Sequence, residues 1–432
     1  MGYNLTVEVV VMNTLAVALA TDSAVTVGDV DKIFSSANKL FMLSKHHPVG
    51  IMVYDNANIL NIPWETIIKI YRKKIGSLEK ETILDYTNDF IKFLNKNIDL
   101  FPVESQKEYF KQMLSAHFSV DIEDLDSKIK EALSESKNGI DESQVKNIVD
   151  SYIDELFSLD RKFNYLNSLG EQDAKQILRN YKAEIDEIID LYYQELPIGQ
   201  RKRNVLRKYA ANLLIKDYSG LDIVYPLNTG IVIAGFGKND VYPIVTNFSI
   251  RTVLDNKIIM DEIEINKITH DSRAAILPFA QIDMVQIFMN GVSNNYRKWI
   301  DDYVEMIYDE IPTLLLNDLN INESDKELIE DKLIEIGQKQ YELFLQVEEE
   351  TIINNWRPII EVVRALPKDE LARMAETLVN ITLFKTRISV EPETVGGPID
   401  VAVISKGDGF IWIKRKHYFV KELNPYYFKK EL

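Results

Sequence analysis

The chain has no cysteine among its 432 residues, which removes disulfides, thiolate metal sites and cysteine nucleophiles together. A reducing cytoplasm is the location this leads one to expect. Positive charge is also in short supply: 50 Lys and Arg stand against 67 Asp and Glu, a formal net charge of −17. An anionic surface repels a phosphate backbone and an anionic bilayer alike, so neither nucleic acid nor a membrane is an expected partner. No stretch approaches the roughly 20 unbroken apolar residues that a membrane-spanning helix needs. The run from Val9 to Ala20 ends like a signal peptide, but the first basic residue is Lys32. The charged leader of such a peptide is missing, and the run reads as a core strand. Met1-Gly2-Tyr3-Asn4-Leu5-Thr6 fits the myristoylation pattern, which is short and common.

What is present is a chain with 46% hydrophobic and 27% charged residues, the balance of a globular protein able to bury a large core. Residues 6 to 56 are rich in β-branched residues and broken by turns: Thr6 to Met12, Leu15 to Ala20, Lys39 to Leu43 and Val49 to Tyr54. From Ile59 to about Ser219 the period becomes helical, with Trp64, Ile67, Ile68, Tyr71 and Ile75 on one stripe. Breaks fall at Phe101-Pro102, Lys137-Asn138-Gly139 and Leu196-Pro197-Ile198-Gly199. Strand character returns over Leu221 to Ile250 and Lys257 to Ile265. Ala274 to Met289 reads as a helix, as do the stretches around Tyr296, Trp299 and Tyr303 and through Trp356. Pro367 opens a last amphipathic helix ahead of an acidic first turn, and strands close the chain at Ile399 to Ser405 and Phe410 to Lys414. The order strands, helices, strands, helices, strands suits an α+β fold of two stacked antiparallel sheets with helices outside.

Three polar residues stand out at strand ends: Thr6, Asp22 and Lys39. A threonine freed at its amino group can use that amine, with a pKa of about 7.7 to 8.0, to accept its own hydroxyl proton. A nearby cation keeps the amine neutral, and a carboxylate holds the cation. The Thr6 to Asp22 spacing, the turn Ala20-Thr21-Asp22-Ser23-Ala24-Val25-Thr26 and the strand Lys39-Leu40-Phe41-Met42-Leu43 resemble those of proteasome β subunits. Gly230 to Gly237, Val395-Gly396-Gly397-Pro398-Ile399-Asp400-Val401 and Gly407-Asp408-Gly409-Phe410 resemble the later strands of the same family.

The resemblance implies a four-layer αββα N-terminal nucleophile (Ntn) hydrolase sandwich carrying two long helical insertions. Residues 1–58 are its first part, 59–220 a helical insertion, 221–291 the second core part, 292–366 a second insertion, and 367–432 the last core helix and closing strands. It further implies Thr6 as nucleophile after removal of residues 1–5, Asp22 and Lys39 tuning it, Thr26 pairing with an extended peptide substrate, and Ser272 and Glu393 as supporting groups. A peptide or protein substrate, a homo-oligomer or partner protein, and no cofactor follow from the same source. The sequence departs from the family where Tyr54 stands in place of a glycine whose N–H helps bind the oxyanion, and where Leu5 rather than glycine precedes Thr6. A catalytically inactive scaffold acting through its helical insertions, with Leu5-Thr6 uncut, is therefore the alternative, and capture of a peptide as an added strand is a third. His46-His47 has no third ligand at metal spacing and reads as a hairpin tip. Gly235-Phe236-Gly237 lacks the third glycine of a dinucleotide fingerprint and reads as a turn.

Overall fold

The computed structural model describes residues 6–27, 32–34, 37–136, 139–166, 169–218, 228–318, 323–389 and 396–424. Strands come first: β1 (Val7–Asn13), β2 (Val17–Thr21), β3 (Val25–Val27), β4 (Lys32–Phe34), β5 (Leu40–Met42), β6 (Val49–Asp55), β7 (Asn58–Ile59) and β8 (Ile62–Pro63). α-Helices follow: α1 (Trp64–Ile75), α2 (Ile83–Lys96), α3 (Val103–Glu135), α4 (Glu142–Asp160), α5 (Glu171–Asn180), α6 (Lys182–Tyr193) and α7 (Gln200–Asn212). Then come β9 (Thr229–Gly235), β10 (Ile244–Leu254), β11 (Lys257–Met260), β12 (Glu264–Lys267) and β13 (Ala274–Ala280). The chain ends through α8 (Asp283–Asn290), α9 (Asn294–Asp318), α10 (Glu323–Ala365), α11 (Lys368–Ile388), β14 (Asp400–Ser405) and β15 (Gly409–Lys414).

The first large sheet has the order β13-β1-β2-β14-β15 and the second β11-β10-β9-β6-β5, with β12 also on β10. All their pairings are antiparallel. Period-two alternation divides the faces of the first sheet. Val10, Met12, Val17, Leu19, Ala402 and Ile404 share one apolar cluster with Leu40, Met52, Val232 and Val245 of the second sheet, so these faces oppose each other. They come close at Gly50, where a Cβ would lie 2.8 Å from Ile404 Cδ1. The other face, Val7, Val9, Val11, Ala18 and Val401, buries α11 and the end of α10 through Leu371, Ala375, Val379 and Val363. On the far side of the second sheet, Ile51, Val53, Ile231 and Ile233 pack against Trp64, Ile67, Tyr71, Tyr86 and Phe90 of α1 and α2. Helices α3 to α7 bury a cluster of their own that reaches the sheet at Leu254 and Ile259.

The helix expected over Ala274 to Met289 is a strand and then a short helix: Ala274–Ala280 pairs along the whole of β1, and helix begins only at Asp283. β13 is the sheet's edge, where Pro278 costs no needed N–H. The start of the strand stretch expected from Leu221 lies outside the described residues, and among the described ones β9 begins at Thr229. Among the described residues no helix is long and apolar enough to cross a membrane.

Candidate active site

Thr6, Glu8, Thr21 and Asp400 all lie on the inter-sheet face of the first sheet, because Glu8 stands opposite Thr21 and Thr21 opposite Asp400 in register. They close one end of an otherwise apolar layer. Facing them, Lys39 immediately precedes β5, and Tyr54 and Asp55 end β6. Apart from Asp55, each of these side chains is buried.

Asp22 is held from four directions. Its Oδ1 takes the Lys39 ammonium at 2.7 Å and the backbone N–H of Val7 at 3.3 Å. Its Oδ2 accepts the N–H groups of Ala24 and Gly396, each at 3.2 Å. Gly396 thus joins the closing segment of the chain to the first turn, and Ser23 adds bonds to the carbonyls of Gly396 and Pro398. The Lys39–Asp22 pair is almost wholly buried, with side-chain exposures of 3% and 0%. Partnering of both charges is what makes that burial tolerable.

The Thr6 hydroxyl oxygen accepts the backbone N–H of Asp55 at 3.0 Å, while its carbonyl accepts the N–H of Gln281 at 3.0 Å. Thr6 is therefore one residue from the amide that shares Asp22 Oδ1 with Lys39. The structure brings Thr6, Asp22 and Lys39 to one end of the stacked sheets. Tyr54 does not crowd this point. Its ring lies over Gly230, its cross-strand partner, where a Cβ would be 1.8 Å from Tyr54 Cζ. Its hydroxyl donates to Asn247 Oδ1 at 2.9 Å, and the ring stacks on Phe279 with centroids 5.8 Å apart. Asp55 itself has a left-handed backbone, φ 65°, a conformation uncommon outside glycine and often found at functional turns.

The remaining supporting groups fall elsewhere. Ser272 is exposed in the turn ahead of β13, bonded to Thr269. β13 runs from Ala274 opposite Asn13 to Ala280 opposite Val7, so Ser272 belongs to the far end of β1 from Thr6. That is a correction to its expected place beside the nucleophile. Glu393 lies outside the described residues. Thr26 lies in β3, opposite Ile33 of β4, in a two-stranded ribbon that follows Asp22 directly.

Four charged residues of this region were not singled out by motif. Glu8 is fully buried, and desolvation pushes its carboxyl up to about 8 against the pull of Lys39. Asp55 is raised to about 6, again by desolvation. Asp400 accepts the backbone N–H of Lys416 at 2.8 Å and its ammonium at 2.6 Å, and burial lowers the proton affinity of Lys416. Their signal is visible in the sequence as an acid in an otherwise apolar strand: Val7-Glu8-Val9 and Ile399-Asp400-Val401. Among the described residues no group of three His, Asp or Glu side chains is placed to hold a metal.

The chain matches no protein-family model and no curated protein. Among solved structures it is similar to Anbu, an ancestral β-subunit from Yersinia bercovieri. That match covers 98% of this chain and 94% of the other, at 10% sequence identity and a TM-score of 0.26. A superposition that loose carries no argument about function.

Proposed function

We propose that this chain is a proteasome-like Ntn hydrolase of amide or peptide bonds, built as a four-layer αββα sandwich. The observation that carries the reading is the junction of Thr6 with the buried Lys39–Asp22 pair, through the Val7 amide, beneath the N–H of Asp55. Release of residues 1–5 gives Thr6 a free amine. Thr6 Oγ1 then attacks the substrate carbonyl, the amine takes the hydroxyl proton and passes it to the leaving nitrogen, and water cleaves the resulting ester. The charge of Lys39 favours the neutral, accepting form of that amine, and Asp22 fixes Lys39. As Oγ1 moves onto the carbonyl carbon, the Asp55 N–H is freed to meet the developing oxyanion. A peptide laid along β3 at Thr26 is the substrate in this reading, and a cytoplasmic homo-oligomer is its setting.

Leu5 in front of Thr6 favours a second reading, an inactive member of the same fold that serves as a scaffold through its helices. Intact-mass spectrometry after incubation with a threonine-directed electrophile separates the two. The enzyme loses its first five residues and gains one adduct, absent in Thr6→Ala. A full-length chain that stays unlabelled is the scaffold.

A further inference from the structure

Glu8 sits two residues along β1 from Thr6, on the same face, in the middle of this polar layer. Its surroundings carry a proton-counting problem. The hydroxyl oxygen of Thr21 lies 3.1 Å from Glu8 Oε1 and 3.1 Å from the carbonyl oxygen of Asp22. A hydroxyl has one proton to give, and a carbonyl oxygen can only accept. Both contacts become hydrogen bonds if Glu8 is a neutral acid that donates to Thr21, while Thr21 donates to Asp22. With Glu8 ionised, one of the two would be a buried meeting of lone pairs. Among the described residues the second carboxyl oxygen, Oε2, is buried with no hydrogen-bond partner, a severe position for a carboxylate and a milder one for the C=O of an acid.

Charge counting agrees. The groups facing Glu8 are Thr21 and Asp22 from the end of β2, Lys39 before β5, Tyr54 and Asp55 from β6, and the uncharged Phe279 opposite it on β13. Lys39 is already matched by Asp22, and beyond Thr21 the Asp400–Lys416 pair is matched within itself. Among the described residues Lys39 is the cation that acts on Glu8, and Asp55 draws on it as well.

We propose that Glu8 is the positioning acid of this site: it carries a proton, anchors the Asp22 turn through Thr21, and on losing that proton draws Lys39 away from Asp22. The consequence for Thr6 rests on the hydrolase reading above; the protonation does not. Desolvation acts in the same sense, holding the proton up to about pH 8.

The sign of the effect on stability follows from linkage. An acid that keeps its proton more tightly when folded adds stability at low pH and loses it as pH rises from its ordinary 4.5 towards about 8. Glu8→Gln retains a donor for Thr21 and does not titrate. The ratio of folding constants, Glu8→Gln over parent, should grow with pH across that window, by about tenfold per pH unit where the two states differ by a whole proton. It should be flat above the window. A ratio that stays constant with pH overturns the proposal. Infrared spectra of parent protein labelled with 13C in its glutamate carboxyls test the same point without a variant. A protonated-acid band at pH 7 that disappears with a midpoint near pH 8 is expected, and its absence at pH 7 overturns the proposal even if the variant fails to fold. In the third arm, the rate of Thr6 labelling by the electrophile should fall on the alkaline side in the parent and lose that limb in Glu8→Gln. An alkaline limb unchanged in the variant overturns the link to Lys39. A parent never labelled at any pH defeats the hydrolase reading instead, leaving the folding and infrared results to decide the state of Glu8.

Discussion

Asp22 and Lys39 show how much a single ion pair can demand of its surroundings. Each charge has been taken almost fully out of water, and neither would be tolerated there alone. Lys39→Met removes the cation while leaving the carboxylate with its three backbone N–H donors. Urea denaturation should show a loss of about 3 to 5 kcal/mol, the usual cost of stranding one partner of a buried pair. Lys39→Met combined with Asp22→Asn neutralises both sides and should recover a large part of that loss; a double variant no more stable than the single would mean the pair is not what holds this turn. The spacing of Thr6, Asp22 and Lys39 was legible in the sequence because strand ends and turns are marked locally. Ser272 was misplaced because its distance from Thr6 depends on the direction in which β13 runs along β1, and no residue near Ser272 records that. Glu8 carries no such local mark. Its neighbours Val7 and Val9 make it resemble an ordinary strand position, and only the pairing with Thr21 shows where its side chain points.

At the scale of elements, the joints between helices and sheets rest on a few polar side chains. The N-terminus of α2 carries a reciprocal bond between Thr82 and Asp85, and it is tied to the turn after β9 by Asp240. One oxygen of Asp240 accepts the N–H of Ile83 at 2.9 Å and that of Gly237 at 2.8 Å. A carboxylate here satisfies otherwise unpaired N–H groups and meets the positive end of the helix dipole. Asp240→Ala should cost about 1 to 3 kcal/mol, the penalty of leaving buried donors unsatisfied, and should raise amide exchange at Ile83 and Gly237 before it does so in β9. Equal protection in parent and variant would show that the turn is held by its backbone alone. The amphipathic stripe of α1 announced a helix correctly, since Trp64, Ile67, Ile68, Tyr71 and Ile75 are all buried. What it does not encode is its neighbours: the stripe covers the second sheet, and its Tyr71 also meets Phe90 and Phe93 of α2. β13 shows the reverse failure, because Ala274-Ala275-Ile276-Leu277-Pro278-Phe279-Ala280 has no alternation to betray a strand whose two faces are both largely covered.

At the scale of the whole molecule, two helical bodies attach to the sheets in different ways. Helices α3 to α7 share their apolar cluster with the sheet at Leu254 and Ile259, and Tyr109 donates to the carbonyl of Arg251 at 3.1 Å. The α9 and α10 pair is attached mainly at its base. α10 runs for 43 residues, about 65 Å at the helical rise, yet its contribution to the main core comes near its end. Val363 is wholly buried, and Asn13 Nδ2 donates to the carbonyls of Val363 and Leu366 at 3.0 and 2.9 Å. Where the hairpin leaves the body, Asn355 Nδ2 donates to the carbonyl of Asn290 at 3.1 Å, so the outgoing and returning chains are already adjacent. Replacing residues 295–352 by a short Gly-Ser linker should therefore keep every contact of the polar layer around Thr6, with a melting temperature within about 5 °C of the parent, a change of at most about 4 to 5 kcal/mol for a chain of this size. The stretch removed carries an exposed ladder of Tyr296, Trp299 and Tyr303, the last two rings stacked 5.7 Å apart. Aromatic surface of that kind is characteristic of contact sites, so light scattering on parent and shortened chain should show self-association falling with the hairpin while the cooperative melt is retained. A shortened chain that no longer unfolds cooperatively would mean instead that the hairpin is part of the core.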